Sequence, residues 1–475
     1  MKKLILLVAS FLIVISNGIF AEIKPNSLFS DNMILQQLDT VNIWGWAENE
    51  KEISIKPSWN NKIYTGETDK QGKWKIAIET PKAGGPYIVT IKGKEEIQFT
   101  NVLIGEVWLC SGQSNMEMPM MGFRGQPIEG GTMDILKSKN NNIRLITVPR
   151  KVSTVEKDNF NSAWKEATPS SVAEFSATAY YYGRLLNEML DIPIGLICVS
   201  YGGSCVEAWM SHDNTFPFED KPVPQVKDSI NIDQRTPSTL FNGMLHPVIG
   251  YTIKGAIWYQ GETNYINPDV YPERFASMVK EWRALWNQGE FPFYYVQIAP
   301  FDYSIFHTPN DSKTIYNSAY LREAQFKALD LIPNSQMAVI LDYGNEKNIH
   351  PSQKQPVGER LALIALAETY GLEGFDYAPP KIKGTEIKES TFTISFDNIP
   401  NGITSYGKEV TNIEIAGENK IFYPAQVWVR SKSIVVSAPQ VLKPVAVRYA
   451  FKDFTTAHLF STGGIPVPSF RTDDW

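Results

Sequence analysis

Four short polar turns in this chain carry the residue types that acyl transfer needs. The first, Ser111-Gly112-Gln113-Ser114-Asn115-Met116, offers the hydroxyl of Ser114 together with its own backbone N–H. A turn that lifts a serine off a strand end exposes a nucleophile and frees an N–H to meet a developing oxyanion. The second, Ser200-Tyr201-Gly202-Gly203-Ser204, has two glycines that let backbone N–H groups approach a ligand closely. The third, Gln260-Gly261-Glu262-Thr263-Asn264, adds the amide of Asn264 beside a carboxylate. The fourth, Asn345-Glu346-Lys347-Asn348-Ile349-His350-Pro351, presents an imidazole. His212, His246, His307 and His458 compete for the base role, but His350 alone closely follows the last predicted sheet strand. A nucleophile, a base and oxyanion donors make up an acyl-transfer site. Taken singly, each turn also reads as an ordinary turn or helix cap.

These turns need strands that end side by side. From about Asn101 the chain alternates near-continuous apolar strands with amphipathic helices: Val102 to Trp108, Ile194 to Val199, Gly255 to Tyr259, Phe293 to Ala299 and Met337 to Leu341. Helices are expected over Phe175 to Leu190, around Leu321 to Leu329 and over Pro356 to Tyr370. Another should follow Asn264, with Phe275, Met278, Val279, Trp282, Leu285 and Trp286 on one face. That rhythm predicts a parallel sheet covered on both faces, with ligands bound beyond the strands' carboxyl ends. Flanking it, residues 22–100 and 377–475 alternate apolar and polar residues between Gly, Pro, Asn and Asp, as in antiparallel sandwiches. The expected order is a leader over 1–21, a β domain over 22–100, a catalytic α/β domain over 101–376 and a β region over 377–475.

Composition narrows the class. The 475 residues are 43% hydrophobic and 20% charged, too many for one core and typical of an ordered globular chain. The net charge of -6, with no basic block, argues against nucleic-acid or anionic-membrane partners. Lys2-Lys3, the apolar run Leu4 to Ile15 and Ala21 before Glu22 read as a secretory leader, predicting export to a periplasm or the outside. No later apolar run reaches membrane-spanning length. The three cysteines, Cys110, Cys198 and Cys205, lie at or beside strand ends rather than at metal spacing, so neither a disulfide framework nor a zinc site is expected.

The four blocks, in this order, resemble the sialate O-acetylesterase family of SGNH-type esterases. Gly202-Gly203-Ser204 with Glu207 and Trp209, Trp258 to Asn264, and Ile349-His350-Pro351 followed by Val357-Gly358-Glu359-Arg360-Leu361 all carry the likeness. So do Leu28 to Gln37 near the start and Val447 to Phe470 near the end. The resemblance implies an SGNH-hydrolase-like fold, with Ser114 as nucleophile and His350 as general base. The N–H groups of Ser114 and Gly203 and the amide of Asn264 would form the oxyanion hole. Members commonly carry Asp two or three residues before the histidine, where this chain has Asn348 and Lys347. Asp342, Glu346 and Asn348 are therefore the candidates to orient His350, and a Ser114–His350 dyad held by a neutral acceptor is favoured. Gln113, Glu262, Arg322 and Gln325 are candidate substrate contacts; Arg322 could meet a sugar-acid carboxylate, and Glu262 also reads as a structural acceptor for the serine turn. The expected activity is hydrolysis of O-acetyl esters on carbohydrate, with sialic acid the first choice, through an acetyl-serine and without metal or cofactor. An acetyl xylan or other polysaccharide esterase, and an impaired carbohydrate-binding protein on the same fold, are the alternatives. Oligomeric state stays open.

Overall fold

The computed structural model describes residues 23–47, 52–215, 217–218, 220, 223–224, 232–306 and 317–475. The expected leader over residues 1–21 and His307 lie outside them. Among the described residues no helix is long and apolar enough to cross a membrane.

One strand organises the molecule. β1 runs from Glu96 to Gly112 and serves two units in turn. Its first half pairs antiparallel with strand Gly84–Lys92 of the N-terminal β region. Its second half is the centre of the parallel sheet, completely buried because it is apolar on both faces. Asn101, at φ +54°, sits where the register of that pairing shifts, and the parallel neighbours Ile194–Ser200 and Gly255–Tyr259 begin further on, at Glu106 and Trp108. The remaining strands of that sheet are β2 (Asn140–Thr147), β3 (Lys165–Ala167), β4 (Ile194–Ser200), β5 (Gly255–Tyr259), β6 (Phe293–Val296) and β7 (Ser335–Ala338). Their spatial order is β3-β2-β4-β1-β5-β6-β7, parallel except for the edge pair β3–β2.

Register does the positioning. Gly112 at the end of β1 lies opposite Ser200 of β4 on one side and Tyr259 of β5 on the other. Three of the four polar turns therefore leave the sheet at one level, side by side. The apolar run expected over Phe293 to Ala299 pairs only to Val296, because beyond it the Ile298 N–H turns to the Gln325 side chain at 2.8 Å. Likewise β7 covers Ser335–Ala338 rather than Met337 to Leu341.

Helices cover both faces. The first, α1, is the single turn Ser114–Glu117. α2 (Ala177–Leu190), capped by the Ser176 hydroxyl, packs with α5 (Gln355–Glu368) over Trp108, Cys110 and Leu196. On the other face α3 (Tyr271–Trp286) lays Phe275, Met278, Val279, Trp282 and Trp286 against Trp258, whose ring stacks on Phe275 at 6.1 Å. Leu285, expected on that face, sits at the edge of the stripe and is exposed. Burying such rings stabilises the layer by about 1.5–3 kcal/mol each. The three cysteines are buried and form no disulfide with one another.

The C-terminal region forms two four-stranded antiparallel sheets and a two-stranded one. One of its ties to the parallel-sheet unit is Arg322 on α4 (Ala319–Lys327), which is fully buried. Its guanidinium donates to the Ser469 hydroxyl at 3.0 Å, the Ala450 carbonyl at 3.3 Å, the Asp453 carbonyl at 3.3 Å and the Lys452 carbonyl.

Gly112 is the residue this arrangement depends on most narrowly. It holds φ +139°, and a Cβ there would stand 2.2 Å from the Tyr259 carbonyl oxygen. Gly112→Ala should lower stability by about 2 kcal/mol or more, combining backbone strain with a collision between neighbouring strands. A thermal melt checks this, and an unchanged Tm would contradict it.

Candidate active site

Ser114 opens α1 as its first residue, half-buried among fully buried neighbours. Gln113 before it is extended (φ -110°, ψ -154°) and donates its N–H to the Tyr259 carbonyl at 2.9 Å. That bond fixes the serine turn to β5. His350 reaches it from the turn before α5, with Nε2 2.7 Å from the Ser114 hydroxyl. The other ring nitrogen, Nδ1, lies 2.7 Å from the amide oxygen of Gln126. The ring edge also meets Phe123, centroids 5.3 Å apart.

The glycine turn closes on the other side. A Cβ at Gly202 would stand 3.2 Å from the Ser114 Cβ, and the Gly202 N–H donates to Glu117 Oε2 at 2.6 Å. Arg150 pairs with the other oxygen of Glu117 and lies 5.2 Å over the Tyr201 ring. Gly203, at φ +72°, follows. Among the described residues no protein acceptor takes the N–H of Gly203 or Ser114, so both are free for an oxyanion. Asn264 is buried and held from three directions. Its oxygen accepts from the Val206 N–H at 3.0 Å and from Gln260 at 2.7 Å, and its nitrogen donates to Glu207 at 3.1 Å. One of its two amide hydrogens remains for a substrate oxygen.

Behind the serine lies a buried polar knot. The Asn115 amide nitrogen donates to Glu262 Oε1 at 2.5 Å and to the Ile349 carbonyl at 3.0 Å, while its oxygen accepts from the Lys354 ammonium. Burial pushes Lys354 down to about 7 and raises Glu262, each toward its neutral form. Burial, with the nearby Lys354 charge adding to it, lowers His350 to about 4. The imidazole is therefore neutral and able to accept a proton throughout the neutral range.

Several residues singled out from sequence stand elsewhere. Arg322 is not a substrate cation: burial lowers it to about 10, and its donors are taken by the C-terminal carbonyls and hydroxyls. Gln325 is equally internal, bonding Gln260, Val296 and Ile298. Gln113 turns its amide oxygen to the N–H groups of Gly261 and Thr263, at 3.3 and 3.4 Å, rather than to a cleft. Glu262 faces Asn115. Neither acidic candidate touches the imidazole. Asp342 grips Arg360 through two bonds of 2.6 and 2.7 Å, and Glu346 is exposed. Asn348 accepts the His350 backbone N–H at 2.9 Å, shaping the turn instead of the ring. Gln126, Lys354 and Asn115 were given no role from sequence. Lys354 had one usable signal, its position four residues after His350; Gln126 had none.

Residues 104–365 match the family model described as carbohydrate esterase, sialic acid-specific acetylesterase. The human sialate O-acetylesterase is 29% identical over 390 residues, covering 74% of this chain and 72% of that protein. The mouse sialate O-acetylesterase is 28% identical over 425 residues, covering 77% and 76%. The crystal structure of a carbohydrate acetylesterase from Xanthomonas citri aligns with a TM-score of 0.86 and 32% identity, covering 96% of this chain and 100% of the other.

The lowered His350 has a kinetic signature. A base must be unprotonated to act, so kcat/KM on p-nitrophenyl acetate should fall as pH drops through about 4. An acid limb near the ordinary imidazole value of about 6.5 would contradict the burial argument.

Proposed function

This chain belongs to the sialic acid-specific acetylesterase family of carbohydrate esterases, and from that premise we propose that it is an exported serine esterase that removes O-acetyl groups from sialic acid. It is a carboxylic ester hydrolase. The observation that carries the mechanism is the 2.7 Å contact between the Ser114 hydroxyl and His350 Nε2, beside two free N–H groups.

Ser114 Oγ attacks the acetyl carbonyl carbon while its proton passes to His350 Nε2. Charge builds on the carbonyl oxygen, where the N–H groups of Ser114 and Gly203 and the amide of Asn264 receive it. Each such donor is worth about 10²–10³ in turnover. The C–O bond to the sugar then breaks, and the departing oxygen takes the proton from His350. Water repeats the sequence on the acetyl-serine, giving acetate and the free hydroxyl. Export is supported by the basic and apolar pattern of Lys2 to Ile15.

A second reading, deacetylation of a neutral polysaccharide such as xylan, gains from one observation. Arg322 is internal, and near the serine turn Arg150 is already paired with Glu117 while Arg235 sets its Nε 3.4 Å from the Gly203 carbonyl.

Two measurements test this. Ser114→Ala should lose at least about a thousandfold in kcat with an unchanged Tm, and His350→Ala a comparable amount. Acetate release from O-acetylated sialic acid should exceed that from acetylated xylan at matched ester concentration. The reverse order moves the assignment to a polysaccharide esterase, and a fully active Ser114→Ala removes the serine mechanism.

A further inference from the structure

We propose that Gln126 is the residue that orients the catalytic imidazole, filling with a neutral amide the place where a triad has a carboxylate. The inference rests on the serine reading above and deepens it.

The imidazole is gripped at both nitrogens, 2.7 Å to Ser114 and 2.7 Å to Gln126. An amide oxygen can only accept, so Nδ1 carries the hydrogen and Nε2 turns its lone pair to the serine. No carboxylate competes for Nδ1 among the described residues. Asp342 is committed to Arg360, Glu346 is exposed, and Glu262 lies behind Asn115.

The loop bearing Gln126 is built to hold it there. The Gln126 N–H donates to the Phe123 carbonyl at 2.9 Å, closing a tight turn. Phe123 meets the imidazole ring edge-on while Gln126 meets its nitrogen, so the turn clamps His350 at two points. Gly122, at φ +82°, lets the loop double back: a Cβ there would stand 2.3 Å from the Gln126 carbonyl oxygen. Both ends of the loop are anchored, by Met120 N–H on the Phe175 carbonyl at 2.9 Å and Glu129 N–H on the Ser352 carbonyl at 3.0 Å. The second anchor ties the loop to the turn that carries His350.

Chemically, the amide fixes the tautomer and gives the imidazolium no countercharge. During attack the Ser114 O–H bond breaks and Nε2 gains the proton; the Nδ1 hydrogen stays on nitrogen, shared with Gln126. The charged groups around the ring are few. Lys354, at the N-cap of α5, opposes protonation, Glu262 sits beyond Asn115, Glu117 on α1 is paired with Arg150, and Glu129 is on the exposed part of the loop. A carboxylate placed at Gln126 would favour the protonated ring.

The experiment compares Gln126→Leu and Gln126→Glu with wild type on p-nitrophenyl acetate, reading kcat, KM and the pH profile. Gln126→Leu should lose about tenfold or more in kcat with KM within about twofold, short of the about 10⁴ that loss of a triad acid costs. Gln126→Glu should move the acid limb of kcat/KM upward by about one pH unit or more. A purely structural glutamine would leave that limb in place. Wild-type kcat in Gln126→Leu, or a Gln126→Glu enzyme with an unmoved limb, overturns the proposal; if Gln126→Leu does not fold, the limb of Gln126→Glu decides alone. Failure of the serine reading would look different, as activity surviving in Ser114→Ala.

Discussion

The site depends on the side chain of Asn115. It is buried immediately after Ser114 and ties its own turn to two others, through the Glu262 carboxyl on one and the Ile349 carbonyl and Lys354 ammonium on the other. A buried amide left partly unpaired costs about 1–3 kcal/mol per lost partner, so the three turns hold one another in a single arrangement. Because Ile349 precedes His350, the same amide that steadies the serine turn also sets how far the imidazole stands from it. The burial that makes these bonds strong also drives Lys354, Glu262 and His350 toward their neutral forms. The His350 imidazole is therefore tuned by the dryness of its support, with little from any acidic neighbour.

Around this knot the sheet supplies level and the helices supply pressure. Strand register brings Gly112, Ser200 and Tyr259 abreast, and the Gln113–Tyr259 and Tyr201–Gly112 backbone bonds continue that alignment into the turns. Glu117 then stitches the glycine turn to the serine helix through the Gly202 N–H. The serine and glycine turns are thus fixed by backbone that is itself part of, or one bond from, the central sheet. Such support is what a preorganised oxyanion site needs, since donors that must rearrange lose their advantage.

The parallel sheet was legible because β4, β5 and the second half of β1 are near-continuous apolar runs, a pattern that burial on both faces explains. The polar turns at their ends were legible for the same reason: hydrophilic residues directly after such runs stand out. Ser114 and His350 could be named, though 236 residues separate them. What the sequence could not convey was partnership across distance. Arg322 looked like any helix-face cation because its acceptors lie 128 to 147 residues further on. Gln126 sits in an irregular loop with no periodicity, and its meaning comes only from a histidine 224 residues away. Asp342 was close to His350 in sequence yet is turned to Arg360 by a two-pronged bond that no spacing rule reveals.

The burial of Arg322 carries a consequence for synthesis of the chain. Its guanidinium is stable in the interior only when the carbonyls of Ala450, Lys452 and Asp453 and the Ser469 hydroxyl surround it. Until those residues exist, α4 carries a charge that must remain in water, because an uncompensated buried cation is strongly unfavourable. A ribosome reaches the Ala450 carbonyl only 128 residues after Arg322. A nascent chain that already holds Ser114 and His350 therefore still lacks the lining that lets Arg322 go inside.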